Sequence, residues 1–266
     1  ARRAPNAETP RRPGGRIGGG EATVTVEATS GRGESRNVHG VLGPDTDEEI
    51  VVLGHLDAHD VAEGALDNGC GITMVATIAR LLAGIEDDLA CRVRVAGVGS
   101  EELGLMGSAA LADSLDLDRV RAAVNIDGAG RERDLVAQTQ TSETAAMVAE
   151  SVADATVHPI HVDPDPHPYS DHWPFIREGV PALQLHSRPA DGDQRGRGWG
   201  HTQADTRDKV DPRTLREHAM LGALLTREMT RQDPDPIESD ELREAMLEQD
   251  FEPGMRAANL WPDEWD

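Results

Sequence analysis

The feature that most constrains this chain is its alternation of short apolar runs with longer stretches that are apolar at helical spacing. Glu49 to Leu56, Cys91 to Val98, Val120 to Ile126 and Pro181 to His186 read as interior strands, with shorter ones around Leu135 to Gln138 and near Val157. Between and after them, Gly69 to Leu82, Leu105 to Leu115, Ser142 to Ala153 and Pro212 to Thr230 carry the helical period, the last with Pro at its start. A chain that alternates in this way buries its strands by laying helices on both faces of one sheet. The expectation is an α/β fold, a three-layer αβα sandwich with a mixed, largely parallel central sheet.

The 266 residues are 38% hydrophobic, enough for one large core, so a single main domain is expected over 21-231. Residues 1–20 repeat Arg, Pro and Gly without a period and read as a disordered or incomplete arm. Thr23 to Glu27 alternates like an exposed strand, and Asn37 to Leu42 is expected to pair with it antiparallel. From Gln232 the Asp-Pro-Asp-Pro break opens an acidic C-terminal tail, 232-266, with a helix expected from Glu238 to Glu248 and Trp261 and Trp265 near its end.

Charge narrows the function classes. The net charge is −23, and Lys209 is the only lysine. An acidic, lysine-poor surface stays hydrated when salt screens charge repulsion, which points to a salt-adapted, halophilic protein. A field this negative repels nucleic acid and anionic membrane, and no run of about 18 apolar residues is present to span a bilayer. Cys70 and Cys91 leave room for one bridge at most and for no disulfide framework. The charged start Ala1-Arg2-Arg3 shows no signal-peptide core, so a cytoplasmic location is expected.

In α/β sheets ligands gather beyond the carboxyl ends of strands, so polar residues placed there come first. Four such places stand out: Gly54-His55-Leu56-Asp57, Asp67-Asn68-Gly69 at a helix start, Ser100-Glu101-Glu102 and Asn125-Ile126-Asp127. Each alone also has a plain structural reading, as a hydrogen-bonded core histidine, a helix cap, a solvated acidic pair or a turn. Together, His55 with Asp67, Glu102 and Asp127 would form a dense negative cluster that needs a cation. His201, behind the Gly-rich stretch 195–200, supplies a second imidazole. Two histidines and three carboxylates suit zinc at a site that keeps a position open.

The motifs GHLD, ALDNGCG, SEELGLMGS, NIDG, YSDHWPF with EGVPAL, and GHTQADTRDKVD occur in that order between about Asn37 and Thr230. In this they resemble the co-catalytic di-zinc exopeptidases, a family that includes bacterial leucine aminopeptidases, glutamate carboxypeptidase and glutaminyl cyclase. The resemblance implies two zinc ions per chain. Asp67 would bridge them, His55 and Asp127 would complete one site, and Glu102 and His201 the other. It also implies Glu101 as general base and Asp57 as the acid that orients the His55 imidazole. Ser170-Asp171-His172 matches the family's helix start near the cleft, with His172 structural or substrate-facing rather than a ligand.

Two departures touch the substrate pocket. Gly200 stands where some members carry a tyrosine that assists the oxyanion, and Gly128 stands where many carry a larger residue. The expected activity is metal-dependent exopeptidase hydrolysis of a peptide or small aminoacyl substrate. The alternatives are a glutaminyl cyclase-like reaction and a non-catalytic binding protein on the same fold.

Overall fold

The structure is a computed structural model, and it describes residues 25, 27, 29, 31–189 and 198–266. Residues 35–266 form one compact unit, while the described residues before 35 carry no regular secondary structure. The arm expected over 1–20 lies outside the described residues. So does most of the strand expected over 23–27, of which Thr25 and Glu27 are described and lie in no strand.

Among the described residues the sheet has seven strands: β1 (Val38–Leu42), β2 (Glu49–His55), β3 (Arg92–Val98), β4 (Val120–Ile126), β5 (Asp134–Gln138), β6 (Ile160–Asp163) and β7 (Ala182–Arg188), in the order β1-β3-β2-β4-β7-β5-β6. The neighbours β3/β2, β2/β4, β4/β7 and β5/β6 run parallel. Among the described residues antiparallel pairs occur only at β1/β3 and β7/β5, so the sheet is mixed and largely parallel. Strand β2 is buried at every position because helices cover both of its faces. Its side chains alternate between the two halves of the core. Ile50 and Val52 join the cluster with helices α1 (Cys70–Ala83), α3 (Glu143–Thr156) and α5 (Pro212–Met229). Val51 and Leu53 join the other cluster, with α2 (Met106–Asp113) and α4 (Trp173–Ile176). This is the expected three-layer sandwich.

Three expectations change. Residues 38–42 pair with β3, Val38 opposite Gly97, rather than with 23–27, and so satisfy the backbone groups along one side of an interior strand. The strand expected near Val157 is present but begins later, as β6 at Ile160. Val157 ends α3 in the left-handed region at φ 55 and is 91% exposed, and β6 begins only after Pro159, which disfavours helical backbone in the residue before it. The stretch 232–266, read as an acidic tail, belongs to the same compact unit as the sandwich. Its helices α6 (Ser239–Glu248) and α7 (Glu252–Ala258) turn Leu242, Met246 and Met255 into the second core cluster, with Trp261 and Trp265 beside them.

Trp265 meets Trp173 edge-on at 5.9 Å and Trp261 at 5.0 Å, and its indole N–H donates to Ser239 Oγ at 2.8 Å. Trp265→Ala is therefore expected to destabilise the domain by about 3–5 kcal/mol, as for other buried aromatic truncations. Urea unfolding checks this, and an unchanged midpoint would mean that the C-terminal segment is not part of the folded core. Cys70 and Cys91 are free and buried, and burial pushes both thiols up, Cys70 to about 11. Among the described residues no helix is long and apolar enough to cross a membrane.

Candidate functional site

The chain leaves β2 through α1 into β3 on one side, then returns through α2 to β4 on the other, so the direction of winding reverses at β2. A cleft opens beyond the carboxyl ends of the strands at such a point. The register brings those ends level: His55 lies opposite Val98, and Leu53 opposite Asn125. Beyond Val98 and Ile126 the chain turns at Ser100-Glu101-Glu102 and at Asp127. Asp67 comes from the segment just before α1. The peptide between Asp67 and Asn68 is cis.

Asn68 fastens that segment to the sheet. Its amide donates to the Ile126 carbonyl at 2.7 Å, and its carbonyl accepts the Gly71 N–H at 3.0 Å. Gly71 is required here, because a Cβ would stand 2.4 Å from the Ile126 carbonyl oxygen and 2.1 Å from Asn68 Oδ1. The small residue lets the start of α1 press against the end of β4, and Asp67 then reaches Asp127's neighbourhood.

All five expected ligands are brought together. One ligand atom each from His55, Asp67 and Asp127 lie within 4.8 Å of one another, as do those from Asp67, Glu102 and His201. Asp67 belongs to both groups, and its two oxygens face opposite ways: Oδ1 lies 3.3 Å from His55 Nε2 and Oδ2 lies 3.1 Å from His201 Nε2. Asp127 Oδ1 is 3.8 Å from His55 Nε2, and Glu102 Oε2 is 3.0 Å from His201 Nε2. Ser170, buried beneath, donates its hydroxyl to Asp127 Oδ2 at 2.7 Å and accepts from the Asn125 amide at 2.7 Å.

The donor set fits a cation. His55 Nδ1 stands 3.0 Å from the Asp57 main-chain carbonyl, a group that can only accept, so Nδ1 carries the proton and Nε2 presents a lone pair. That buried lone pair has no hydrogen-bond partner and faces carboxylate oxygens, and Glu102 Oε1 is likewise buried without a partner. Lone pairs converging out of water repel unless positive charge sits among them. The electrostatics say the same. Burial would lower the His55 pKa, yet Asp127, Asp57 and Asp67 carry it far above the imidazole range, a demand for positive charge at Nε2 that a cation would meet in place of a proton. Burial would raise Asp67, yet His201 and His55 hold it well below the carboxylate range.

Glu101 sits in the same field without belonging to either ligand group. Burial, then the charge of Asp127, pushes its carboxyl up to about 9. The Glu101-Glu102 turn is held from below by Asp57, whose Oδ1 accepts the Glu101 N–H at 3.1 Å and whose Oδ2 accepts the Glu102 N–H at 3.2 Å. Asp57 was expected to orient His55 with its carboxylate, but the nearer acceptor is its own carbonyl, with Oδ1 at 3.7 Å. Its side chain instead positions the next two acids. Asp57→Asn keeps one acceptor oxygen and so loses one of these two bonds. A loss of about 10–100-fold in metal affinity is expected, the range for residues that support ligands. Titration with a fluorescent zinc chelator reads it, and unchanged affinity would remove the role.

Three partners were given no role of their own by the sequence. Asp205, wholly buried, accepts the Leu66 N–H at 2.7 Å and the Asp67 N–H at 3.1 Å, tying the His201 loop to the Asp67 segment. The His59 ring stacks on His201 at 5.1 Å. Asp171 is buried beside the cluster, and burial pushes its carboxyl up to about 7. His172 is no ligand: its Nε2–H donates to the His167 carbonyl at 2.6 Å, and burial lowers its pKa to about 3, keeping the ring neutral. Residues 195–197 of the Gly-rich stretch lie outside the described residues.

Residues 37–226 match the model of peptidase family M28, and the chain belongs to that family. It is similar to aminopeptidase YwaD of Bacillus subtilis, 23% identical over 232 residues that cover 81% of this chain and 49% of the relative. Leucine aminopeptidase 2 of Arthroderma otae is 33% identical over 121 residues, 43% of this chain and 24% of that protein. The chain thus spans half or less of the length of these two relatives. Among solved structures, a zinc aminopeptidase from Bacillus subtilis superposes with a TM-score of 0.64 at 24% identity, covering 72% of this chain and 49% of its own. A glutaminyl cyclase from an Acidobacteriales bacterium superposes at 0.61 with 20% identity, covering 73% of each chain.

Proposed function

We propose that this chain is a zinc-dependent exopeptidase of the aminopeptidase type, acting on short peptides or small aminoacyl compounds. The observation that carries the reading is the shared Asp67 carboxylate, whose two oxygens face two different imidazoles at 3.3 and 3.1 Å. A carboxylate placed so is suited to stand between two cations. His55 and Asp127 would complete the hold on one, and Glu102 and His201 on the other. Borderline nitrogen and oxygen donors of this kind suit zinc, the metal named for the similar Bacillus subtilis aminopeptidase.

Bound as a pair, divalent cations supply Lewis acidity for the scissile carbonyl and for a water in the cleft. The chain's own residues do the rest. Glu101, next to Glu102 but outside both ligand groups, takes a proton from the attacking water at its carboxylate and returns it to the departing amine nitrogen. Asp57 keeps the Glu101 backbone in place through the 3.1 Å bond to its N–H. Ser170 fixes the Asp127 carboxylate. With Gly200 in place of a tyrosine, no side chain at that position assists the oxyanion. The −23 charge supports a salt-adapted setting.

The reading predicts two zinc ions per chain by elemental analysis, and release of 4-nitroaniline from an aminoacyl anilide in buffer of molar salt. A chelator should abolish release and added zinc should restore it. One metal with pyroglutamate formation from an N-terminal glutamine would replace the reading with the cyclase one. Peptide binding without any turnover would replace it with a non-catalytic role.

A further inference from the structure

Next to the ligand cluster lies a cavity of about 450 Å³, within the range of small-molecule sites. Its walls are continuations of the ligand-bearing segments. Leu66 precedes Asp67, Arg131 follows four residues after Asp127, and Gly198 and Trp199 come just before His201. Lys209, the only lysine of a chain with net charge −23, completes it. A field that negative works against any anionic ligand, so a guanidinium and an ammonium facing one cavity are a local reversal of the surface.

Both cations are placed by bonds that also place the ligands. Asp205, by holding the Leu66 and Asp67 N–H groups, anchors the turn that carries Lys209 to the Asp67 segment. The Lys209 Nζ lies 5.7 Å from the Trp199 ring centre and bonds the exposed Asp208 at 2.5 Å, which occupies one of its three donors. Ser187 donates to the Gly128 carbonyl at 2.9 Å and accepts the Glu132 N–H at 3.0 Å, fastening the turn that presents Arg131. Gly198, at φ +60, keeps the space open, since a Cβ there would stand 3.1 Å from Arg131 Nη1. Among the described residues, Glu132 is the one acid of the lining.

We infer that this cavity receives a carboxylate of the substrate through Arg131 and Lys209, so that the chain selects short peptides bearing an acidic group beside the scissile bond. The inference rests on the exopeptidase reading and deepens it. The carboxylate has two sources, the side chain of an N-terminal Glu or Asp, or the free C-terminus of a dipeptide.

The zinc-loaded full chain distinguishes them. Glutamyl is compared with leucyl 4-nitroanilide, and Leu-Gly with Leu-Gly amide, by kcat/KM. The carboxylate-bearing member of one pair is expected to be favoured by about tenfold or more, and the pair that discriminates names the source. In Arg131→Gln and Lys209→Met that ratio falls by about 10–100-fold, while Lys209→Arg restores most of it. Calorimetric titration with glutarate gives a readout independent of turnover and is expected to weaken in the same two variants, with thermal unfolding confirming that they fold. Turnover with ratios and glutarate binding unmoved by both variants would overturn the cavity assignment and leave the exopeptidase reading standing. Glutarate binding that depends on Arg131 and Lys209, without turnover of any substrate, would do the reverse. If turnover is absent and glutarate binding is indifferent to both residues, both fall.

Discussion

Glu101→Gln is expected to lower the turnover of an aminoacyl anilide by about 10²–10⁴-fold, the share of rate that a positioned general base supplies, while the chain keeps its full zinc content. The substitution preserves shape and removes the one property that the proposal assigns to this side chain, the ability to take and return a proton. Glu101 stands outside both ligand groups, so the cations should not notice the change. Its backbone N–H stays bonded to Asp57, so the turn should not move. Steady-state kinetics and elemental analysis on the same preparation separate the outcomes. Surviving turnover would take the base assignment away from Glu101, and lost zinc would make it a ligand instead.

Asp67→Asn should act on the cations directly. Each Asp67 oxygen faces a different imidazole, and an amide keeps one oxygen while turning the other into an N–H donor. Whichever way the amide settles, one of the two ligand groups loses an anionic donor and gains a group that points hydrogens at the cation. Zinc content is expected to fall from two to one or none per chain, and turnover to the level of the chelator-treated protein. Asp60, 95% exposed at its side chain, provides the control: Asp60→Asn removes the same charge outside the cluster and should change neither quantity. Two zinc ions retained by Asp67→Asn would end the bridging assignment.

The sandwich was legible because its strands and helices announce themselves locally. Val51, Val52 and Leu53 are apolar on both sides of one strand, and only a sheet covered on both faces accommodates that run. The ligand positions were legible for a related reason. In such a sheet polar side chains at the carboxyl ends of neighbouring strands share an edge, so His55, Glu102 and Asp127 could be set together before any coordinates. Asp57 was singled out but its acceptor was not, since the choice between its carbonyl and its carboxylate depends on how the chain turns after β2. Asp205 and Ser170 lie in motifs the sequence brought forward, but their bonds were not legible there. Their partners, Leu66, Asp67 and Asp127, lie up to 139 residues away along the chain, a separation no local pattern encodes.

The C-terminal segment shows the same limit. Its acidic composition and Asp-Pro break suggested a separate end, whereas Leu242, Met246, Met255 and the two tryptophans fill the second half of the core. Composition counts residues without saying which way they face.

Residue order alone was sufficient for the fold class, the strand ends and the five metal-ligand candidates, because periodicity and strand-end polarity are properties of neighbouring residues. The pairing of β1 with β3, the tie between Asp205 and the Asp67 segment, and the placing of Arg131 and Lys209 on one cavity were decided only in three dimensions. Hydrogen bonds and charge pairing act over a few ångströms of space, whatever the distance along the chain, and folding alone sets that space.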